Sequence, residues 1–169
     1  MATAKGDILW QNTTSGDVAI WLMNGAQVTQ AAGVGNVPPS VWSIVGIGDF
    51  NGDGKSDILW RDLSGNLAIW FLNGAQVIGA AGIGNVPTSW MVAGTGDFNG
   101  DGKSDILWRD TTSGTVAIWL MNGAQVTGAA GVGSAPYPRG RSSRPVISTA
   151  TARATFSGMT ATATWRSGS

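Results

Sequence analysis

The sequence has no cysteine, no histidine and no glutamate in its 169 residues. Without cysteine there are no disulfides and no thiol chemistry. Without histidine, glutamate or cysteine, the groups that most often act as general bases or activate nucleophiles are missing. All ten acidic residues are aspartates. They lie in glycine-rich loops, in Trp-Arg-Asp turn regions or beside other turns, and no serine has a histidine or glutamate as a neighbouring base. An enzyme is therefore not expected. No apolar run approaches the length that crosses a bilayer, and the opening Met-Ala-Thr-Ala-Lys-Gly-Asp lacks the apolar centre of a signal peptide.

The chain is rich in glycine (26), tryptophan (9) and apolar residues (43%). That composition suits one compact domain, or at most two, with many turns around a real core. It is also repetitive, and repeats decide a fold before single residues do. Asp-Ile-Leu-Trp begins at Asp7, Asp57 and Asp105. After each copy a Ser-Gly turn leads into a second apolar strand: Val18–Leu22, Leu67–Leu72 and Val116–Leu120. Asn-Gly then marks a tight hairpin at Asn24-Gly25, Asn73-Gly74 and Asn122-Gly123. Ala-Gln-Val opens a third strand, and a Val-Pro link leads to the next unit's first strand near Trp42–Gly46 and Trp90–Gly94. Both faces of a strand such as Leu67–Leu72 are apolar, so both must be covered. Four-stranded units of this length, packed between neighbours, predict an all-β fold. It is a partial β-propeller of about three antiparallel blades, roughly 1–40, 41–88 and 89–133, with the first blade incomplete. The opening and closing dipeptides of the WD40 type are absent.

Two nearly identical loops join the first and second strands of the later blades. Oxygen-bearing side chains fall at loop positions 1, 3, 5 and 9: Asp49, Asn51, Asp53 and Asp57, and again Asp97, Asn99, Asp101 and Asp105. Glycines at 52 and 54, and at 100 and 102, permit the tight curl that would bring those oxygens together. The backbone carbonyls of Lys55 and Lys103, at position 7, are the expected extra ligands. An all-oxygen set of this kind suits Ca²⁺, and crowded carboxylates without a cation would repel one another. The EF-hand is excluded, because its bidentate glutamate at position 12 is replaced by Trp60 and Trp108 and no helix follows. Two structural calcium sites are expected, each tying neighbouring strands of a blade. No such loop precedes Asp7.

From Ser134 the repeat stops, and Ala, Thr, Ser and Arg take over. Residues 1–133 carry a charge of −5 and residues 134–169 carry +5. Back-translation accounts for the change. Ser148–Phe156, read one base out of frame, permits Phe-Asn-Gly-Asp-Gly-Lys-Ser-Asp-Ile, and the codons on either side permit further repeat sequence. Residues 134–169 are thus expected to be an irregular tail, a fourth blade whose reading frame slipped near Ser134–Pro136. The tail arginines are then by-products of codon content, so neither nucleic acid nor a membrane is expected as a partner.

Residues 7–133 resemble FG-GAP/VCBS repeats, the blades of calcium-binding propellers in integrin α subunits and many bacterial surface proteins. The residues that carry the resemblance are the two Gly-Asp-Phe-Asn-Gly-Asp-Gly-Lys-Ser-Asp loops and the Trp-Arg-Asp that follows each, at Trp60–Asp62 and Trp108–Asp110. The resemblance implies one Ca²⁺ per loop and a secreted or cell-surface setting as part of a longer parent protein. It also implies a non-catalytic module that binds carbohydrate or protein, as in adhesion. Most tryptophans, Trp10, Trp21, Trp60, Trp70, Trp108 and Trp119, recur at fixed blade positions and are expected in the core. Trp42 and Trp90, at the blade entrances, are the candidates for exposed sugar-stacking platforms. Arg61 and Arg109 are expected to pair with Asp62 and Asp110 or with nearby carbonyls. Two departures from the family pattern are plain: too few blades to close a ring, and the tail. Self-association that completes a propeller is accordingly expected. The alternative is a truncated or frameshifted fragment with only a structural, self-assembling role.

Overall fold

The computed structural model describes residues 7–135. The tail expected to be a fourth blade read out of frame, residues 134–169, lies almost wholly outside them. Eleven strands and no helix make up the described chain: β1 (Ile8–Gln11), β2 (Asp17–Asn24), β3 (Gln27–Asn36), β4 (Trp42–Gly48), β5 (Asp57–Asp62), β6 (Asn66–Asn73), β7 (Gln76–Asn85), β8 (Trp90–Gly96), β9 (Asp105–Asp110), β10 (Thr115–Asn122) and β11 (Gln125–Ser134). They form three antiparallel meanders, β1-β2-β3, β4-β5-β6-β7 and β8-β9-β10-β11, with no closed barrel. The first blade has three strands and the others four, as the repeat pattern requires.

Local chemistry sets the turns. In the outer hairpin of each blade Asn24 pairs with Gln27, Asn73 with Gln76 and Asn122 with Gln125. The two-residue loop is therefore Gly-Ala, not the Asn-Gly that marked it in the sequence. Gly25, Gly74 and Gly123 have φ of 63, 63 and 62°, at the position where a type II′ loop calls for glycine. Two register shifts interrupt each outer hairpin, for example between Leu67 and Ala68 and between Phe71 and Leu72. Bulges of this kind twist an edge strand away from flat pairing with other chains.

The core lies between the blades, not within them. One cluster joins Val18 and Val37 of blade 1 to Ile58, Trp60 and Leu72 of blade 2. The other joins Phe50, Leu59, Leu67 and Ile69 of blade 2 to Ile106, Trp108 and Met121 of blade 3. Alternation along each strand sends one set of apolar side chains forward and the other back, which is why both sets are apolar. Trp60 and Trp108 are buried, and each meets the next tryptophan of its blade edge-on at 5.2 Å, Trp70 and Trp119 respectively. Trp10 and Trp21 make the corresponding pair at 5.0 Å, tilted at 57°, but are 43% and 37% exposed. The expectation of a core position fails for these two. They occupy the blade face that another blade covers in the later repeats, and no described residue covers it here.

Neighbouring blades also approach through backbone. The Thr95 hydroxyl donates to the Ile47 carbonyl at 2.5 Å, and the Ser104 amide donates to the Asp49 carbonyl at 2.6 Å. The closeness is possible because Gly46 and Gly48 present no side chain there. A Cβ on Gly48 would lie 2.6 Å from the Ser104 side chain.

Candidate metal centre

The loop between β4 and β5 is built around Asp49. One of its carboxylate oxygens accepts the amides of Gly52 (2.7 Å) and Asp53 (3.1 Å), and the other accepts that of Gly54 (2.7 Å). Three amides can converge on one side chain only if the chain curls sharply. Gly52 and Gly54 supply that curl at φ of 80 and 81°. The Asn51 side-chain Oδ1 accepts the Asp53 amide at 3.0 Å, and the Asp53 carboxylate accepts the Lys55 amide at 2.9 Å. The loop between β8 and β9 repeats every one of these contacts. Asp97 accepts Gly100, Asp101 and Gly102, Asn99 accepts Asp101, and Asp101 accepts Lys103.

Asp57 is different in kind. It is fully buried at the start of β5. Its two oxygens accept the amides of Phe50, in the loop, and Leu72, near the end of β6, both at 3.0 Å. Asp105 does the same with Phe98 and Met121, both at 2.9 Å. The aspartate at loop position 9 thus pins the loop to its own blade. Asp7 also accepts the Met23 amide at 2.9 Å, in a blade that lacks the metal loop. This strand-tying role does not depend on an ion, and sequence reasoning missed it. The signal was there: Asp7 is retained where the rest of the loop is not.

Burial pushes the Asp57 carboxyl up to about 6, with the negative charges of Asp53 and Asp49 adding to the rise against the pull of its two amide bonds. Asp105 is raised by burial in the same way, with Asp101 and Asp97 contributing. Asp101 itself is held low, chiefly by the Lys103 amide. Each loop therefore concentrates negative charge beside a carboxylate that burial already disfavours.

The donor set fits a hard divalent cation. Every side chain at positions 1, 3, 5 and 9 offers oxygen, and a carboxylate has about four acceptor sites, of which the amides take only some. As placed, the carboxylates face the loop amides. Among the described residues no three acidic side chains are gathered into a ready-made metal cluster.

Trp42 and Trp90 are half-buried and pack against the two inter-blade cores. Neither is set apart as a free platform, so a sugar-stacking role for them rests on the resemblance alone. Arg61 reaches carbonyls, not Asp62. Its guanidinium donates to Val86 (2.8 Å), Pro87 (2.9 Å) and Trp90, and lies 5.7 Å from the centre of the Trp108 ring. Arg109 likewise donates to the Ala135 carbonyl at 3.0 Å. Asp62 and Asp110 instead cap their own turns through the amides of Ser64 and Asn66 and of Thr112 and Ser113.

Residues 49–108 match the family model of the FG-GAP-like repeat. Over that stretch the chain is similar to an FG-GAP-like repeat. The match runs from the first oxygen of one loop, Asp49, to the buried Trp108 that follows the other, and so takes in both candidate metal loops. The same β-sheet units make the chain a propeller-type repeat module. No curated protein and no solved structure matches it.

Proposed function

We propose that this chain is a non-catalytic, calcium-binding propeller module in which two Ca²⁺ ions are structural. Asp49, Asn51, Asp53, Asp57 and the Lys55 carbonyl hold one ion, and Asp97, Asn99, Asp101, Asp105 and the Lys103 carbonyl hold the other. FG-GAP-like repeats are in general non-enzymatic and typical of extracellular domains, where calcium is plentiful. No helix among the described residues is long and apolar enough to cross a membrane. The observation that carries the reading is the duplicated loop: the same oxygens on the same amides, each beside a buried aspartate whose ionisation a cation would favour. The bound ion would add mass-action stability, about 2.7 kcal/mol at a 100-fold excess over Kd. The blades so held in register form the scaffold on which a protein or glycan ligand is engaged in adhesion.

Titration calorimetry with CaCl2 on ion-stripped protein tests this. Two binding events per chain are expected, one lost in Asp53→Ala and the other in Asp101→Ala. Absence of binding heat, together with a melting temperature indifferent to calcium, would overturn the assignment.

A further inference from the structure

The interface between blades 2 and 3 is made chiefly by Phe50, Leu59 and Ile69 on one side and Ile106, Trp108 and Met121 on the other. These six residue types recur at the two ends of the described chain, whereas Leu67 and Val86 of the same cluster are replaced there by Val116 and Ala135. On the back of blade 3, Phe98, Leu107 and Ile118 hold the positions of Phe50, Leu59 and Ile69, with Phe98 exposed, Ile118 half-buried and Leu107 still buried. Blade 1 turns Ile8, Trp10 and Met23 outward at the positions of Ile106, Trp108 and Met121. The change in exposure follows the missing neighbour. Phe50 is 0% exposed and Phe98 37%, while Trp108 is 1% exposed and Trp10 43%. One backbone contact across the interface has its counterpart too: the Gly123 amide donates to the Phe50 carbonyl at 2.8 Å, and Gly25 and Phe98 hold the equivalent places. The Thr95 and Ser104 contacts have none among the described residues.

We propose that a second copy of this chain docks head to tail, the front of its blade 1 on the back of blade 3 and its own blade 3 on the blade 1 front of the first copy. The new contact would bring together the same six residue types that meet in an interface the chain already makes internally, although blade 1 has no described counterpart of β8, which packs on β4 there. That shared set is why a second copy fits better than an unrelated partner. A heterologous contact of this sort closes into a ring when the rotation per unit allows. Propellers close at about four to eight blades; two copies of the three described blades fall inside that range and three copies fall outside it. The pair is therefore a closed dimer with two equivalent interfaces. The proposal needs no ion, so its failure would leave the calcium reading standing.

Light scattering coupled to gel filtration of the full chain decides it. The expected mass is twice 17.3 kDa, falling to the single-chain value on dilution. Trp10→Glu, on the front, and Phe98→Glu, on the back, are each expected to give monomers. Mixing the two variants restores a dimer through the one intact front and the one intact back, which a symmetric front-to-front or back-to-back contact would not do. The unmodified chain keeps the test decisive should either variant misfold. If it runs at 17.3 kDa at every concentration, or as a polydisperse aggregate, the proposal is wrong. It is equally wrong if a folded variant still dimerises alone, or if the mixture of variants stays monomeric.

Discussion

The buried aspartates predict an unusual pH dependence that calcium should remove. Asp57 ionises at about 6 in the folded chain against 3.8 when free. A carboxyl whose pKa is raised by folding contributes stability that is fully present below the unfolded value and is lost as pH rises through the folded one. The window is therefore pH 4 to somewhat above 6, and stability should fall across it. A shift of about two units corresponds to ~3 kcal/mol at most, a large part of the ~5–15 kcal/mol typical of a domain. Asp105 is raised too and acts in the same direction. The aspartates whose pKa is lowered, Asp17, Asp62, Asp101 and Asp110, have the opposite sign. Their contribution is lost only on acidification below about 4, so it leaves the window clear. Urea unfolding followed by tryptophan fluorescence, in ion-stripped buffers from pH 4 to 7, should show the decline. Saturating calcium favours the ionised carboxylate and should flatten or reverse the decline, while Asp57→Asn with Asp105→Asn should flatten it without calcium. A stability profile flat across the window in ion-free buffer would refute the burial argument. The same slope with and without calcium would refute the link between these carboxyls and the ion.

Two backbone and side-chain clamps at the Val-Pro link give sharper mutational tests. Gly65 sits at φ of 90°, and a Cβ there would lie 2.1 Å from the Val86 carbonyl oxygen, so Gly65→Ala combines left-handed strain of ~1–2 kcal/mol with a backbone clash. Gly54→Ala, at φ of 81° with nothing within 4 Å, should show the strain alone; equal losses in urea unfolding for the two variants would discredit the clash. Arg61→Lys cannot span three carbonyls and should lose ~1–3 kcal/mol, and a melting curve unchanged from the parent would show that the guanidinium fork contributes little.

The strand plan was legible because two-faced apolar strands and repeated turn residues leave few alternatives. Boundaries were less so. Leu67–Leu72 becomes Asn66–Asn73 because the flanking asparagines complete ladder pairs with Asn85 and Gln76 that apolar patterning does not register. The hairpin loop shifted by one residue for a related reason. Asn24 pairs across the hairpin with Gln27, leaving glycine alone to take the positive φ.

The site was legible as a set of oxygens at fixed spacing, but not as a division of labour. Composition treats Asp49 and Asp57 alike, as two carboxylates of one loop. Folding separates them by burial: Asp49 organises the curl from its exposed side, while Asp57 disappears under Phe50 and Leu72 to join β5 and β6. Burial of this kind belongs to the neighbouring blade as much as to the residue. Phe50 and Phe98 occupy the same place in identical loops, yet only Phe50 is covered, because blade 3 stands against it. The exposed Trp10 and the buried Trp60 differ for the same reason. In a stack of repeats each blade's sequence specifies half of an interface twice over. Whether a given half becomes core or surface is decided by what stands next to it, and that is why the apolar ends of this chain carry as much meaning as its metal loops.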